Sequence, residues 1–133
     1  MAFHARHDAY FTLNKNGANH FGDFVSLNIE NRDWNIMVAE HKHELVGFCI
    51  GVIQNCSPVY ECPRYGFIQD IAVTESHRRK GVAQRLFEKT NSWFKENGID
   101  RIELDIAIKN SVSKRFWAKM GFRDVLKRVV MEI

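Results

Sequence analysis

The sequence predicts a mixed α/β domain, a largely antiparallel sheet flanked by helices. Three observations point there. Ile102, Leu104, Ile106 and Ile108 alternate with Arg101, Glu103, Asp105 and Ala107, the period of a half-buried strand. Between residues 79 and 97, Val82, Leu86, Thr90, Trp93 and Phe94 fall on one face at helical spacing. Strand-like and helix-like stretches also succeed one another in the order strand, strand, strand, helix, strand, helix, strand. With 133 residues, 45% of them hydrophobic and 26% charged, and no repeat or low-complexity linker, residues 1–133 read as a single globular domain.

Taken in order, residues 1–30 read as short helices broken near residues 14–17 and at Gly22. Residues 35–40 form the first strand, and His41, Lys42, His43 and Glu44 are the polar turn of a hairpin. Residues 45–53 return as a β-rich strand in which Gly47 and Gly51 leave room for close backbone approach. Residues 54–63 are loop and residues 64–73 a third strand. The helix over 79–97 is stopped by Asn97 and Gly98. A strand over 101–108, a short helix over 110–120 closed by Gly121, and a last strand over 122–133 complete the order.

The segment with chemistry in it is His77-Arg78-Arg79-Lys80-Gly81-Val82-Ala83, between the third strand and the long helix. Free amides at a helix start form an anion cradle, glycine keeps side chains out of it, and neighbouring cations strengthen it. The ligand this favours carries a diphosphate. A run of Arg and Lys is by itself most often a solvated surface, so the motif gains weight only from the segments on either side of it.

From Phe67 onward the chain resembles the GNAT superfamily of acyl-CoA-dependent N-acetyltransferases. Gly66-Phe67-Ile68-Gln69-Asp70-Ile71-Ala72-Val73 is similar to that family's central strand. Arg78-Arg79-Lys80-Gly81-Val82-Ala83 fits its pyrophosphate loop, [Gln/Arg]-x-x-Gly-x-[Gly/Ala]. The stretch from Asn110 through Phe116 and Trp117 to Gly121 and Phe122 matches its late helix and the turn after it. The resemblance implies a sheet splayed at the central strand, with the thioester of acetyl-CoA lying in the opening. It implies that amides from Arg79, Lys80, Gly81, Val82 and Ala83 hold the diphosphate, with Arg78 at the loop's entry. The main chain of Ile71, Ala72 and Val73 would pair with the pantetheine arm, Asn110 and Ser113 would supply polar contacts, and Phe116 and Trp117 would pack against the cofactor.

The implied activity is transfer of the acetyl group of acetyl-CoA to an amine by direct attack in a ternary complex. The amine must first lose a proton, and the oxyanion needs a donor, by resemblance a backbone N–H near Ile71 or Ala72. The chain departs from the family at three places. Trp117 stands where many members carry a tyrosine acid, and an indole N–H can donate a hydrogen bond but not serve as an acid. Gln69 stands where some carry a glutamate base. Asp70 is ionisable, but strict alternation sets it on the face opposite Gln69, Phe67 and Tyr65, which favours a structural role unless a bulge intervenes. Tyr65 and Glu61 are the other proton-transfer candidates, and loss to water is equally compatible. No strand-like run precedes Asp8, so an opening strand is short or absent, and the edge left open calls for cover, for instance by a second subunit of a homodimer.

The remaining features bound the function. A net charge of +3 demands no nucleic-acid partner. No stretch is apolar enough for a membrane span, and the first residues lack the apolar core of a signal peptide. Cys49, Cys56 and Cys62 have no metal-ligand spacing and fit a reducing, cytoplasmic setting. His4 and His7, like His41 and His43, read as exposed polar residues, and no metal is expected. His77 reads as a cofactor contact or a surface residue. The substrate reading is a small-molecule amine. The alternatives are a protein or peptide amine, or an acyl-CoA-binding module without activity.

Overall fold

The computed structural model describes residues 17–61 and 64–133. A helix, α1 (Gly17–Asn28), leads into the hairpin of β1 (Trp34–His41) and β2 (Glu44–Asn55). Helix α1 runs straight through Gly22, where the sequence predicted a break. A mid-helix glycine costs about 1 kcal/mol, too little to end a helix alone. The hairpin turns on Lys42 and His43, with φ of 49° and 66°. Two consecutive left-handed residues are the mark of the type I′ turn, whose twist matches that of the strands it joins.

β3 (Arg64–Val73) pairs antiparallel with β2, and a short β4 (Ile102–Glu103) pairs parallel with β3, giving the order β1-β2-β3-β4. A turn of 3-10 helix (Glu75–His77) and an irregular loop lead from β3 to α2 (Val82–Glu96), and α3 (Ser111–Lys119) comes after β4. Two predicted strands are corrected. The alternation over 101–108 yields a ladder at Gly66↔Ile102 and Phe67↔Glu103 only, and residues 122–133 form no strand. Helix α2 begins at Val82 rather than 79, because Arg79 (φ 61°) and Gly81 (φ 79°) are left-handed. The absence of an opening strand, like His4, His7 and Cys62, lies outside the described residues.

The register between β2 and β3 slips once. Ile50 sits opposite Asp70, but Gly51 sits opposite Ile68, which leaves Gln69 without a partner in the ladder. This bulge resets the alternation of β3. Gly66, Ile68, Ile71 and Val73 share the face that packs on α2, with Gly47, Cys49 and Gly51 beside them. Tyr65, Phe67, Asp70 and Ala72 lie on the other face, opposite Gln54, Val52, Ile50 and Phe48. Asp70 therefore shares a face with Phe67 and Tyr65, contrary to the expectation from unbroken alternation.

The core lies between the sheet and α2. Phe94 is fully buried and fills the hollow left by Gly51 and Gly66. Trp117 of α3 meets Phe87 of α2 edge-on at 5.3 Å and Phe122 at 5.1 Å, which ties the two helices together. Cys49 is completely buried. Burial pushes its thiol up to about 11, the Thr90 hydrogen bond pulls the other way, and the Asp70 charge adds to the rise. The folded value lies above the ordinary one, so the stabilisation tied to the protonated thiol is complete below about pH 9 and is lost as pH climbs toward 11. At about pH 8.5 a thiol reagent is expected to label the half-buried Cys56 in the native protein and to spare Cys49 until it unfolds. Peptide mass mapping checks this, and rapid native labelling of Cys49 would contradict it.

Candidate functional site

The parallel ladder between β3 and β4 ends at Phe67 and Glu103, directly before the bulge at Gln69. The Gly66 amide still donates to the Arg101 carbonyl at 2.8 Å. Beyond that point the edge of β3 facing β4 has no strand partner among the described residues, and the sheet opens. Alternation decides which main-chain groups line the opening. The Thr74 amide donates to the Val46 carbonyl at 2.8 Å. In step with it, the peptide groups of Ala72 and Asp70 face β2. Those of Ile71 and Val73 face the opening. Of the two oxyanion donors expected from sequence, the Ile71 amide alone has that direction. The Ala72 amide is turned to β2.

At the far end of β3 the chain makes the phosphate-type loop. Backbone bonding reaches the Arg78 amide, which donates to the Glu75 carbonyl at 3.3 Å, and resumes at Arg85, which donates to the Gly81 carbonyl at 3.1 Å. The amides of Val82, Ala83 and Gln84 have no intrahelical acceptor, as in any first turn, and Arg79, Lys80 and Gly81 add to the row. A Cβ built at Gly81 meets nothing within 4 Å, so the cradle is open to solvent. The side chains of Arg79 and Lys80 are exposed beside it, and no acidic residue lies in the first turn of α2. Arg78 folds back, its Nε donating to the Val73 carbonyl at 3.2 Å, which fastens the loop to the end of β3. His77 is held from within the loop, its Nδ1 at 3.1 Å from the Thr74 hydroxyl and 3.0 Å from that of Ser76.

Asn110 stands at the head of α3. Its side-chain oxygen accepts the Ser113 amide at 3.0 Å and caps the helix. Asn110 is only 1% exposed, and its Nδ2 has no partner among the described residues. A buried donor left unpaired costs about 1–3 kcal/mol, which a carbonyl on a bound ligand would recover. The row of amides at α2, the edge of Ile71 and Val73 with no strand partner among the described residues, and this orphaned amide are donors of the kind that an elongated ligand with an anionic end and carbonyls along its length takes up. Ser113 contributes its backbone to the cap. Phe116 is half-buried, and Trp117, 4% exposed, sits within the aromatic cluster of Phe87, Phe116 and Phe122. Trp117 is thus a core residue first.

The proton-transfer candidates are not gathered together. The Tyr65 hydroxyl donates to the Gln54 side-chain oxygen at 2.7 Å. Its phenol is raised above the ordinary value by desolvation first, and then by the negative charges of Glu103, Cys56 and Asp105, so it keeps its proton. Tyr65 and Asp70 lie opposite Gln54 and Ile50, four residues apart on β2, or roughly 13 Å along the strand. Asp70 directly precedes the Ile71 amide, and Tyr65 does not reach it. Glu61 is exposed in the loop before β3. Among the described residues no three ligating side chains are grouped to hold a metal ion, and no helix is long and apolar enough to cross a membrane.

What sequence reasoning missed was the bulge and the Arg78 clasp. The bulge had a signal. The apolar positions of β3 run Ile68, Ile71, Val73, and a step of three inside a period-two pattern marks one extra residue. The Arg78 clasp has none.

Comparison with known proteins agrees with this geometry. The fold matches the BH1408 protein of Bacillus halodurans with a TM-score of 0.85 at 18% identity, over 99% of this chain and 86% of that one. It also matches a predicted acetyltransferase from Clostridium acetobutylicum solved with acetyl-CoA, with a TM-score of 0.77 at 17% identity, over 92% of this chain and 79% of that one. In sequence, 64 residues are 33% identical to an aminoglycoside N(6')-acetyltransferase type 1 from Acinetobacter haemolyticus, a match covering 48% of this chain and 44% of that protein. The chain thus spans less than half the length of such curated relatives in these matches. Residues 4–122 match the Acetyltransferase (GNAT) family as a whole, from before α1 to the turn after α3. An open fork in the sheet, a row of free amides at the start of α2 and a match over nearly the full chain have one common account: this protein is a member of the GNAT acetyltransferase family.

Proposed function

We propose that this chain is an acetyl-CoA-dependent N-acetyltransferase whose acceptor is the amine of a small molecule. The observation that carries the reading is a pair of open main-chain donor sets, the Ile71 and Val73 edge of β3 and the amides of residues 79–84 at the start of α2. The loop amides bind the diphosphate, the edge of β3 aligns the pantetheine arm, and the Asn110 amide takes one of its carbonyls. The Ile71 amide then points at the thioester oxygen and stabilises the negative charge that develops as the amine nitrogen attacks carbon. Collapse breaks the carbon–sulfur bond and expels the CoA thiolate, which takes its proton from water.

Asp70 is the proton acceptor in this reading, since the bulge brings it beside the Ile71 amide on the face of Phe67. Gln69 cannot take that role, and Tyr65 holds its proton. The small-molecule acceptor is supported by the likeness to an aminoglycoside acetyltransferase. Cys49 and Cys56, both thiols, support a cytoplasmic setting, residues 1–133 are read as acting as one domain, and a homodimer belongs to the same reading.

The test is release of free CoA thiol from acetyl-CoA over a panel of amino sugars, diamines, amino acids and peptide N-termini. Release with a small amine is the expected result. Release with peptides alone would transfer the reading to protein amines, and tight binding without release would make the chain a silent binder. Asp70→Asn is expected to lower kcat about 10²-fold near pH 7 with little change in acetyl-CoA affinity. An unchanged kcat would mean that the proton leaves through water.

Asn110→Ala separates binding from folding. Loss of the cap costs about 1 kcal/mol, and removal of the orphaned donor offsets it. Melting of the free protein is therefore expected to shift by only about 2–4 °C at most, while acetyl-CoA affinity falls about tenfold. A large drop in melting temperature with unchanged affinity would assign Asn110 to structure alone.

A further inference from the structure

In sequence His41 neighbours His43, but in the fold its ring meets His77. The two imidazoles lie 5.3 Å apart centre to centre, with their planes 60° apart. His41 is the last residue of β1, opposite Glu44 across the hairpin, and His77 ends the 3-10 turn that follows β3. Backbone bonds fix both places. The tight turn through Lys42 and His43 holds the first. The His77 amide donates to the Thr74 carbonyl at 3.0 Å, and the Thr74 amide is itself bonded to Val46 of β2 at 2.8 Å. His41 is exposed and His77 half-buried, so an ion reaches the pair from solvent.

We propose that His41 and His77 together bind a divalent cation of the zinc class. Two imidazoles that share a tetrahedral ion, each nitrogen about 2.0–2.1 Å from it, hold their ring centres roughly 5 Å apart. The His77 ring is also prepared for the task. Its Nδ1 lies 3.1 Å from the Thr74 hydroxyl and 3.0 Å from that of Ser76. A hydrogen bond at one ring nitrogen fixes the tautomer and turns the other nitrogen into the ligand, here Nε2. Glu44 and Glu75 bring carboxylates to the same end of the sheet against the cations Lys42 and Arg78, and Arg78 is engaged with the Val73 carbonyl. Imidazole pairs suit zinc, copper or nickel, whereas magnesium and calcium seek oxygen. Among the described residues no third ligating side chain joins the two, so water fills the remaining positions and the ion exchanges freely. Once bound, it ties the end of the β1–β2 hairpin to the turn from which Arg78 and the amide row follow. The site stands apart from any catalytic reading.

The test is titration of the wild-type protein with Zn²⁺ alone, followed by the ring signals of its six histidines, with equilibrium dialysis to give the affinity. The expected result is that the His41 and His77 signals move together as one ion binds, and that Mg²⁺ moves neither. His41→Gln and His77→Gln are each expected to weaken this binding at least about tenfold, and both positions stand at the surface, so the metal-free fold is kept. Ring signals of His41 and His77 that stay still, or that move at different zinc concentrations, overturn the inference. So does an affinity that neither glutamine variant changes, which would place the zinc on other histidines.

Discussion

Gly81→Glu is expected to abolish acetyl-CoA binding, weakening it at least 100-fold by isothermal titration, which corresponds to about 2.7 kcal/mol. Two effects combine. Gly81 has φ of 79°, a conformation that costs an L residue roughly 1–2 kcal/mol. The new carboxylate would also stand in the cradle meant for a diphosphate, and two like charges about 4 Å apart repel by about 4 kcal/mol at an effective dielectric near 20. The fold itself should survive, since a Cβ there meets nothing within 4 Å. Gly81→Ala is the control, because it carries the strain without the charge and should weaken binding only about tenfold. Equal losses in the two variants would credit strain alone. Full affinity in the glutamate variant would return Arg78, Arg79 and Lys80 to an ordinary solvated surface.

That loop was legible in the sequence because its chemistry is local. Arg78, Gly81 and Ala83 lie within a few residues of one another, and a helix start always exposes amides. β3 was likewise readable to its ends, and Asn110 was found at the head of its helix. The losses are at places where distant parts of the chain decide. Leu104, Ile106 and Ile108 alternate like a strand, but pairing needs a neighbour, and the bulge at Gln69 takes β3 away from them. Residues 122–133 fail for the same reason, with strand composition and no ladder partner among the described residues. Asp70 was misplaced by applying a period of two across an insertion of one. Helix α1 ran through Gly22 because the glycine penalty is small beside what a whole helix gains.

Phe94→Ala is expected to be the most damaging single substitution in the core, costing about 3–5 kcal/mol, a large part of the roughly 5–15 kcal/mol available to a typical domain. Phe94 is fully buried, and the two strands beneath it carry glycine where its ring presses closest. A Cβ at Gly66 would lie 2.6 Å from Cε1 of Phe94, and one at Gly51 would lie 3.0 Å from its Cζ and 2.7 Å from Cγ2 of Thr90. The ring and the glycines are therefore one unit, and they act where function needs rigidity. Gly66 makes the next-to-last rung of the ladder to β4 before the sheet opens. Gly66→Ala is accordingly expected to cost about 1–3 kcal/mol or more by overpacking, and Phe94→Leu in the same chain should recover part of it by yielding space. Urea unfolding of the two single variants and the double gives the coupling, expected to be about 0.5 kcal/mol or more in favour of the double. Simple additivity would mean that Phe94 is not seated on Gly66. A rescued fold should also regain acetyl-CoA affinity, because the Ile71 and Val73 edge continues from the strand that Phe94 holds in place.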